Sequence, residues 1–125
     1  MTPGPRFAAA TAAVAVLALV AAAQAQERSP AERQGLVDLA RVLGESHALR
    51  QACEGPRDQF WRSRMQRLLA VEAADQGLKT RISVAFNAGY GSGRSLFPKC
   101  TDAAQAEARR IAEDGQKLSM KLALP

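Results

Sequence analysis

Hydrophobic residues recur three and four positions apart in four separate stretches of the chain, which is the spacing of an amphipathic α-helix. Glycine, proline and short polar residues separate the stretches. The pattern therefore indicates an all-α fold, a small four-helix bundle that forms a single domain over residues 26–125. The predicted helices span about residues 30–53, 58–75 and 78–88, with a fourth from Thr101 onward.

The first predicted helix has clear start and end signals. Ser29 and Glu32 have the spacing of a capping box, and Pro30 stands at the first helical position. Glu54-Gly55-Pro56 ends the helix. This periodicity places Cys53 in the core. The shared face comprises Leu39, Val42, Leu43, Ser46, Leu49 and Cys53.

The second helix combines an apolar arc with a carboxylate. Trp61, Met65, Leu68 and Leu69 share this arc with Glu72. An ionised carboxylate among apolar side chains needs a partner, so we predict an ion pair with an arginine of another helix. Alternatively Glu72, which lies close to the helix end, reaches water. The candidate partners are Arg50, Arg81 and Arg94.

A ridge of arginines lies beside that arc. Arg57, Arg64 and Arg67 line a face that also carries Phe60 and Val71. Such a ridge is either a solvated face or a contact surface for an acidic partner or a lipid headgroup.

Glycines interrupt the pattern of the third helix. Asp75 is its expected N-cap. Glycines then occupy alternate positions in Gly89-Tyr90-Gly91-Ser92-Gly93-Arg94, a composition unfavourable for a helix. We expect the helix to stop near Ala88 and the glycines to form a tight corner. The alternative is a nest of backbone N–H groups that binds an anion, with Arg94 as the counter-charge.

The last helix has the most regular pattern. Thr101 is its expected N-cap, with Asp102 in the first turn. We expect its seam of small residues and leucines to pack against the first helix, and an intermolecular coiled coil is the alternative. The seam comprises Ala104, Ala108, Ile111, Gly115, Leu118 and Leu122.

The N-terminal segment is typical of a secretory signal peptide. One charge, Arg6, precedes an uncharged apolar run over residues 7–23, and Ala23-Gln24-Ala25 supplies small residues for cleavage. We predict that residues 1–25 are removed and that the protein is periplasmic, with no stable membrane span after cleavage. An uncleaved anchor and full secretion from the cell are the alternatives.

Cleavage leaves a mildly basic protein. Removing Arg6 from the 17 basic residues leaves 16 against 12 acidic residues, a formal net charge of +4. Together with export, this modest excess argues against a nucleic-acid partner.

Cys53 and Cys100 are the only cysteines of the chain. In an oxidising compartment two cysteines of a small domain usually pair, and closing this loop contributes about 4 kcal/mol in the chain-entropy model. We predict a structural disulfide. A redox or zinc role is the alternative, although Cys-x-x-Cys spacing is absent and His47 is the only histidine.

The sequence contains no catalytic constellation. His47 lies at the edge of the apolar face of the first helix, where a packed or capping role and a catalytic role are both open. A nucleophile with a histidine base needs a third orienting group, and Cys53 points to a different face. Glu72 and Asp75 are a common solvated pair at a helix end. We expect no enzymatic activity, no metal and no cofactor.

Short motifs follow one another in order along the predicted mature chain. They are His47-Ala48-Leu49-Arg50, Cys53-Glu54-Gly55, Trp61-Arg62 with Met65, Leu68-Leu69 and Glu72, Phe86-Asn87-Ala88-Gly89-Tyr90, and Cys100-Thr101. In this set the chain resembles an uncharacterised family of small exported proteobacterial proteins with two cysteines and a Phe-Asn-x-Gly-Tyr motif. The resemblance covers nearly all of the mature chain. It implies a domain of unknown function and carries over no catalytic residue.

Two functions of different classes are compatible with the sequence. The favoured one is a non-enzymatic periplasmic helical interaction module that binds another protein of the cell envelope. The alternative is a binder of a small anionic ligand, such as a lipid headgroup or a cell-wall fragment, through the glycine-rich corner and Arg94. The candidate interaction surface comprises His47, Arg50, Arg64, Arg67, Asn87, Tyr90 and Arg94.

Overall fold

The computed structural model describes residues 2–4 and 28–124. Apart from residues 2–4, the predicted signal peptide lies outside the described residues. The described residues form four helices and no strand, which confirms the predicted all-α class. The helices are α1 (Pro30–Glu54), α2 (Phe60–Glu72), α3 (Gln76–Leu96) and α4 (Asp102–Ala123).

The start of α1 is the predicted capping box. The Glu32 amide donates to Ser29 Oγ at 3.1 Å, and the Ser29 amide donates to Glu32 Oε2 at 2.7 Å. Two amides that have no partner inside the helix are thereby satisfied, which is typically worth about 1 kcal/mol for the N-cap alone. The helix ends at Gly55, whose φ of 114° lies in a region that favours glycine.

Helix α1 is the central element of the fold, because α2, α3 and α4 all pack against it. Its buried residues belong to two clusters. The larger one joins α1 to α2 and α3, and the smaller one joins Leu49 of α1 to Ala104 and Ile111 of α4. The larger cluster comprises Leu36, Leu39, Ala40, Leu43, Met65, Ala74, Leu78, Ile82 and Phe86.

The prediction that the third helix stops near Ala88 is wrong. Helix α3 continues through all the glycines to Leu96. A Cβ built at Gly89 would overlap the carbonyl of Arg41, and one built at Gly44 would overlap the carbonyl of Phe86. The glycines therefore let the backbones of α1 and α3 approach closely. Packing compensates for the cost of about 1 kcal/mol that glycine imposes on a helix interior.

Helix α4 packs along α1 in the predicted way. A Cβ at Gly115 would lie 3.1 Å from Val42, so the absence of a side chain brings the helices together. The Ala104 amide donates to Thr101 Oγ1 at 3.1 Å, which confirms Thr101 as the N-cap. The seam of small residues therefore serves contacts within the chain.

The predicted disulfide between Cys53 and Cys100 is present, with the two Cα atoms 4.7 Å apart. It joins the end of α1 to the residue before the N-cap of α4. Both cysteines are exposed, so the prediction that Cys53 belongs to the core is wrong. The helical periodicity is correct, but Cys53 lies in the last turn of α1, and the buried clusters contain no residue of α1 beyond Leu49.

Candidate functional site

An exposed cluster of arginine and aromatic side chains lies at the start of α2. The Cζ atom of Arg64 is 3.7 Å from the centroid of the Phe60 ring, and that of Arg50 is 4.4 Å from it. Phe60 meets Trp61 edge to face, with ring centroids 5.0 Å apart. Phe60 is 38% exposed, so both guanidiniums cover an aromatic ring that water also reaches. We call Arg50, Phe60, Trp61 and Arg64 the arginine–aromatic surface.

Asp58 fixes this cluster. Both of its carboxylate oxygens accept from Arg50 Nε at 3.0 Å, and Oδ1 also accepts from the Phe60 amide at 3.1 Å. The carboxylate thus holds Arg50 over Phe60 and satisfies a free amide in the first turn of α2. It precedes the helix instead of belonging to it, which is why α2 begins at Phe60 and not at the predicted Asp58.

The rest of the predicted arginine ridge is exposed. Arg57 and Arg67 reach solvent, as does Val71. In residues 28–124, neither Arg64 nor Arg67 makes a salt bridge. Of the three arginines of the predicted ridge, only Arg64 belongs to the arginine–aromatic surface.

A groove runs beside this surface, between α2 and α4, with α1 as its floor. It consists of two adjoining concavities of about 380 and 290 Å³ that share Ser46, Trp61 and Ala112. The second concavity is mostly apolar in its lining. Arg50 and Trp61 of the arginine–aromatic surface line the groove on one side, and Arg109 lies across it. The floor comprises Leu39, Val42, Leu43, Ser46, Leu49, Cys53 and Glu54.

Glu72 has the ion pair that its position predicts, but with a different partner. Arg28 donates to both carboxylate oxygens, from Nε at 2.8 Å and from Nη2 at 2.9 Å, and its Nη1 donates to the Leu122 carbonyl at 2.8 Å. The hydrogen bond to Glu72 raises the pKa of Arg28 above its ordinary value. Glu72 therefore does not depend on water, the alternative that the sequence left open.

The three predicted partners of Glu72 are wrong, because each of these arginines contacts a different residue. Arg50 binds Asp58, Arg81 donates to Gln34 at 2.6 Å, and Arg94 lies beside Tyr90. Arg28 precedes the first helix, so a search confined to helical faces does not find it.

His47 is buried and does not reach the surface on which the sequence placed it. It is 2% exposed and lies against two rings of α3, with centroid distances of 5.7 Å to Phe86 and 5.1 Å to Tyr90. Its Nδ1 atom has no hydrogen-bond partner. Burial, aided by the charge of Arg62 and opposed by Asp58, holds the pKa of His47 below its ordinary value.

Tyr90 and Arg94 come together on the other side of α1. The Tyr90 hydroxyl donates to Gln51 Oε1 at 2.6 Å, and the Arg94 guanidinium lies 5.6 Å from the Tyr90 ring centroid. Both residues line a cavity of about 230 Å³. Asn87 is exposed and does not line it.

The alternative that the sequence left open at the glycines, an anion-binding nest, is also wrong. The backbone N–H groups of residues 89–96 lie inside α3, where helical hydrogen bonds use them, so they cannot point together at an anion. Arg94, the counter-charge of that hypothesis, nevertheless lines a cavity.

The structure thus divides the predicted surface into separate parts. Arg50 and Arg64 meet through Phe60, whereas Tyr90 and Arg94 meet at the cavity. Asp58 and Gln51, two residues that hold these parts in place, were not among the predicted site residues. Asp58 had a signal, since an aspartate side chain commonly accepts from the backbone N–H two residues on, as Asp58 does from Phe60. Gln51 had none.

A family model described as "Protein of unknown function (DUF2385)" matches residues 30–124. The chain belongs to this family. The matched range contains all four helices, so the arginine–aromatic surface, the groove and the cavity all belong to the family's domain. Comparison with curated proteins and with solved structures gives no match. Within the part of the chain that the structure describes, no helix is long and apolar enough to cross a membrane.

Proposed function

We propose that the protein is exported, loses residues 1–25 and acts as a non-enzymatic interaction module of the cell envelope. Its partner is an α-helical segment of another envelope protein, apolar on one side and acidic along one flank. The observation that carries this proposal is the exposed arginine–aromatic surface beside an open groove.

The composition of the surface supports a role in binding. Arginine and large aromatic residues are the side chains that contribute most often to the free energy of protein association. Here Arg64 covers Phe60, and Phe60 in turn meets Trp61, so the side chains are already ordered. An ordered surface loses less conformational entropy when a partner binds.

The groove has the dimensions of a helix site. Its floor on α1 extends from Leu39 to Glu54, which corresponds to about 22 Å at 1.5 Å per residue. Trp61 stands on one side and Ala112 and Gly115 on the other. Small residues on α4 leave room for a helix of three to four turns, whose apolar side chains would cover the floor.

The charges near the groove favour an acidic flank on the partner. Arg50, Arg64 and Arg109 stand at or beside the groove, and Glu54 at one end is the only acidic residue of its lining. Within residues 28–124, Arg64 and Arg109 have no salt bridge. A partner carboxylate would therefore find a guanidinium that is not already neutralised.

Photo-cross-linking in living cells tests this proposal. A tagged copy carries the cross-linking residue at Gln116, in the groove, and a control copy carries it at Thr80, an exposed position of α3. We expect an adduct with one envelope protein from Gln116 and none from Thr80. The cross-linked peptide should carry apolar residues three and four apart with acidic residues beside them.

Charge reversal distinguishes an effect of the arginine–aromatic surface from an effect of the protein's net charge. R64E/R67E should abolish the Gln116 adduct, whereas K79E/R81E changes the net charge equally at exposed positions of α3, away from the groove, and should retain it. An adduct that survives R64E/R67E, or a cross-linked peptide without acidic residues, would show that the assigned surface is wrong. Recovery of lipid or cell-wall material alone would favour a small-ligand function.

Export has its own measurement. The protein isolated from the envelope fraction should begin at Gln26, and replacing Ala23 and Ala25 by aspartate should leave the N-terminal segment attached, because a signal peptidase requires small residues at these positions. An unprocessed wild-type chain would contradict this part of the proposal.

A further inference from the structure

A second site lies on the opposite side of α1 from the groove. It is a cavity of about 230 Å³ at the end of the molecule where α1 and α3 both terminate. This volume is below that of drug-sized sites, so it suits a small molecule or the end of a longer one. The lining residues are Ala48, Gln51, Ala52, Pro56, Tyr90, Arg94, Phe97 and Pro98.

The walls of this cavity combine aromatic and proline side chains with the polar groups of Gln51 and Arg94. Tyr90 and Phe97 provide aromatic surfaces, and Pro56 and Pro98 provide side chains without rotational freedom. Pro56 follows α1 and Pro98 follows α3, and the Cys53–Cys100 disulfide ties the end of α1 to the connection that contains Pro98. The cavity is therefore held open by covalent structure as well as by packing.

Gln51 fixes the orientation of Tyr90. Its Oε1 accepts from the Tyr90 hydroxyl at 2.6 Å, and its Nε2 donates to the carbonyls of Pro56 and Asp58 at 3.0 and 3.1 Å. The amide is thus engaged at both ends, so the Tyr90 ring has a defined position without any ligand. A ligand that binds against an ordered ring therefore causes little loss of conformational entropy in the protein.

Arg94 is the only charged residue of the lining. In residues 28–124 it makes no salt bridge and no side-chain hydrogen bond, and its guanidinium lies 5.6 Å from the Tyr90 ring centroid. Arg28, Arg33, Arg50 and Arg110 each bind a carboxylate of the chain. Arg94 therefore retains a planar fork of donors at the edge of the cavity, beside the aromatic rings of its lining.

We propose that this cavity binds a carboxylate that carries a small apolar or aromatic group, with Arg94 holding the carboxylate and Tyr90 and Phe97 contacting the apolar group. A single arginine matches one negative charge. A phosphate dianion would require further cations or converging backbone N–H groups, and the lining supplies neither. The same chemistry occurs in small carboxylic acids and at the C-terminus of a peptide.

An NMR titration of the mature protein tests the proposal with four probes. Phenylacetate stands for the small acid and phenylacetamide is its neutral counterpart. The N-acetylated tripeptide Ala-Ala-Phe stands for a peptide end, and its C-terminal amide is the neutral counterpart. We expect the two carboxylates to shift the backbone amides of Ala52, Tyr90 and Phe97 saturably at millimolar concentrations, and the two neutral probes to bind more weakly.

Comparison of the two carboxylates distinguishes the source. Tighter binding of the tripeptide would assign the site to peptide termini, and equal or tighter binding of phenylacetate would assign it to small acids. If the acids and the amides shift the same resonances with equal affinity, the role of the charge is refuted. Absence of any saturable shift with all four probes refutes the site.

Variants at exposed arginines provide the matched control. R94Q should weaken carboxylate binding roughly tenfold to a hundredfold, since it removes a charge-assisted hydrogen bond. R81Q makes the same change of charge at another exposed position of α3, outside both the cavity and the groove, and should bind like the wild type. Wild-type affinity in R94Q would overturn the proposal. Neither variant alters the arginine–aromatic surface, so the result is independent of the partner helix proposed above.

Discussion

Gly44 in α1 and Gly89 in α3 each lie where the backbone of the opposite helix passes. A Cβ at Gly44 would overlap the Phe86 carbonyl, and a Cβ at Gly89 would overlap the Arg41 carbonyl. This reciprocal contact brings α3 onto the central helix. It accounts for glycines that local propensity alone would assign to a loop.

Alanine at two glycines of α3 should have opposite effects. G89A should destabilise the protein by about 1–3 kcal/mol, because the new methyl group meets backbone that cannot move independently. G91A should stabilise it by about 0.5–1 kcal/mol, because a Cβ at Gly91 meets nothing within 4 Å and alanine favours the helix. Urea unfolding followed by circular dichroism measures both. Equal effects would mean that the close approach does not limit packing.

The ion pair between Arg28 and Glu72 should stabilise the fold measurably. Glu72 is only 12% exposed, so E72Q leaves Arg28 without its carboxylate and should cost about 1–3 kcal/mol. Arg33 and Asp75 provide the exposed comparison, since the Asp75 side chain is 57% exposed. R33A should cost less than about 1 kcal/mol.

A double-mutant cycle isolates the pair from other effects of the substitutions. R28A, E72A and the double variant, compared by urea unfolding, should give a coupling energy above about 0.5 kcal/mol. A coupling near zero would indicate that Arg28 acts through its hydrogen bond to the Leu122 carbonyl alone.

The sequence predicted most of what depends on local chemistry. Ser29, Asp75 and Thr101 cap their helices as expected, because capping involves residues within a few positions of one another. The cysteines pair because the chain has no others.

Contacts between distant segments were predicted less well. The continuation of α3 through Gly89 depends on α1, 40 and more residues earlier, so propensity within the segment gives the opposite answer. Arg28 and Gln51 likewise act on partners far along the chain. The candidate surface was divided for the same reason. Arg64 and Arg94 both lie on exposed faces, but only the packing of α2 and α3 around α1 determines that Arg64 covers Phe60 whereas Arg94 lines the cavity.

Loss of the disulfide should destabilise the domain strongly. Cys53 and Cys100 are 47 residues apart in the sequence, and the chain-entropy model gives about 4 kcal/mol for closing a loop of this length. Urea unfolding of C53S/C100S, or of the reduced wild type, should show this loss. Because both cysteines are exposed, serine adds no buried polar group, so the loss reports on the bond itself.

His47 should make the stability depend on pH. Its pKa is lowered in the folded protein, first by burial and then by Arg62, whereas in the unfolded chain it lies near the ordinary value of about 6.5. The unfolded state therefore binds more protons between these two values. The contribution of neutral His47 to stability is complete above about pH 6.5 and is lost as the pH falls toward the folded pKa, with a slope of at most about 1.4 kcal/mol per pH unit.

Replacement of His47 tests this dependence. H47L keeps a side chain of similar size between Phe86 and Tyr90 and removes both the titrating group and the Nδ1 atom that lacks a partner. Its free energy of unfolding should change less than that of the wild type between pH 7.5 and pH 5.5, a range above the ordinary pKa values of the carboxylates. Asp58 and Arg62, the charged groups that act on His47, are present in both proteins, so the difference between the two pH profiles reports on His47. Parallel pH profiles would show that His47 accepts a proton in the folded state as readily as in the unfolded one, which its burial at 2% exposure argues against.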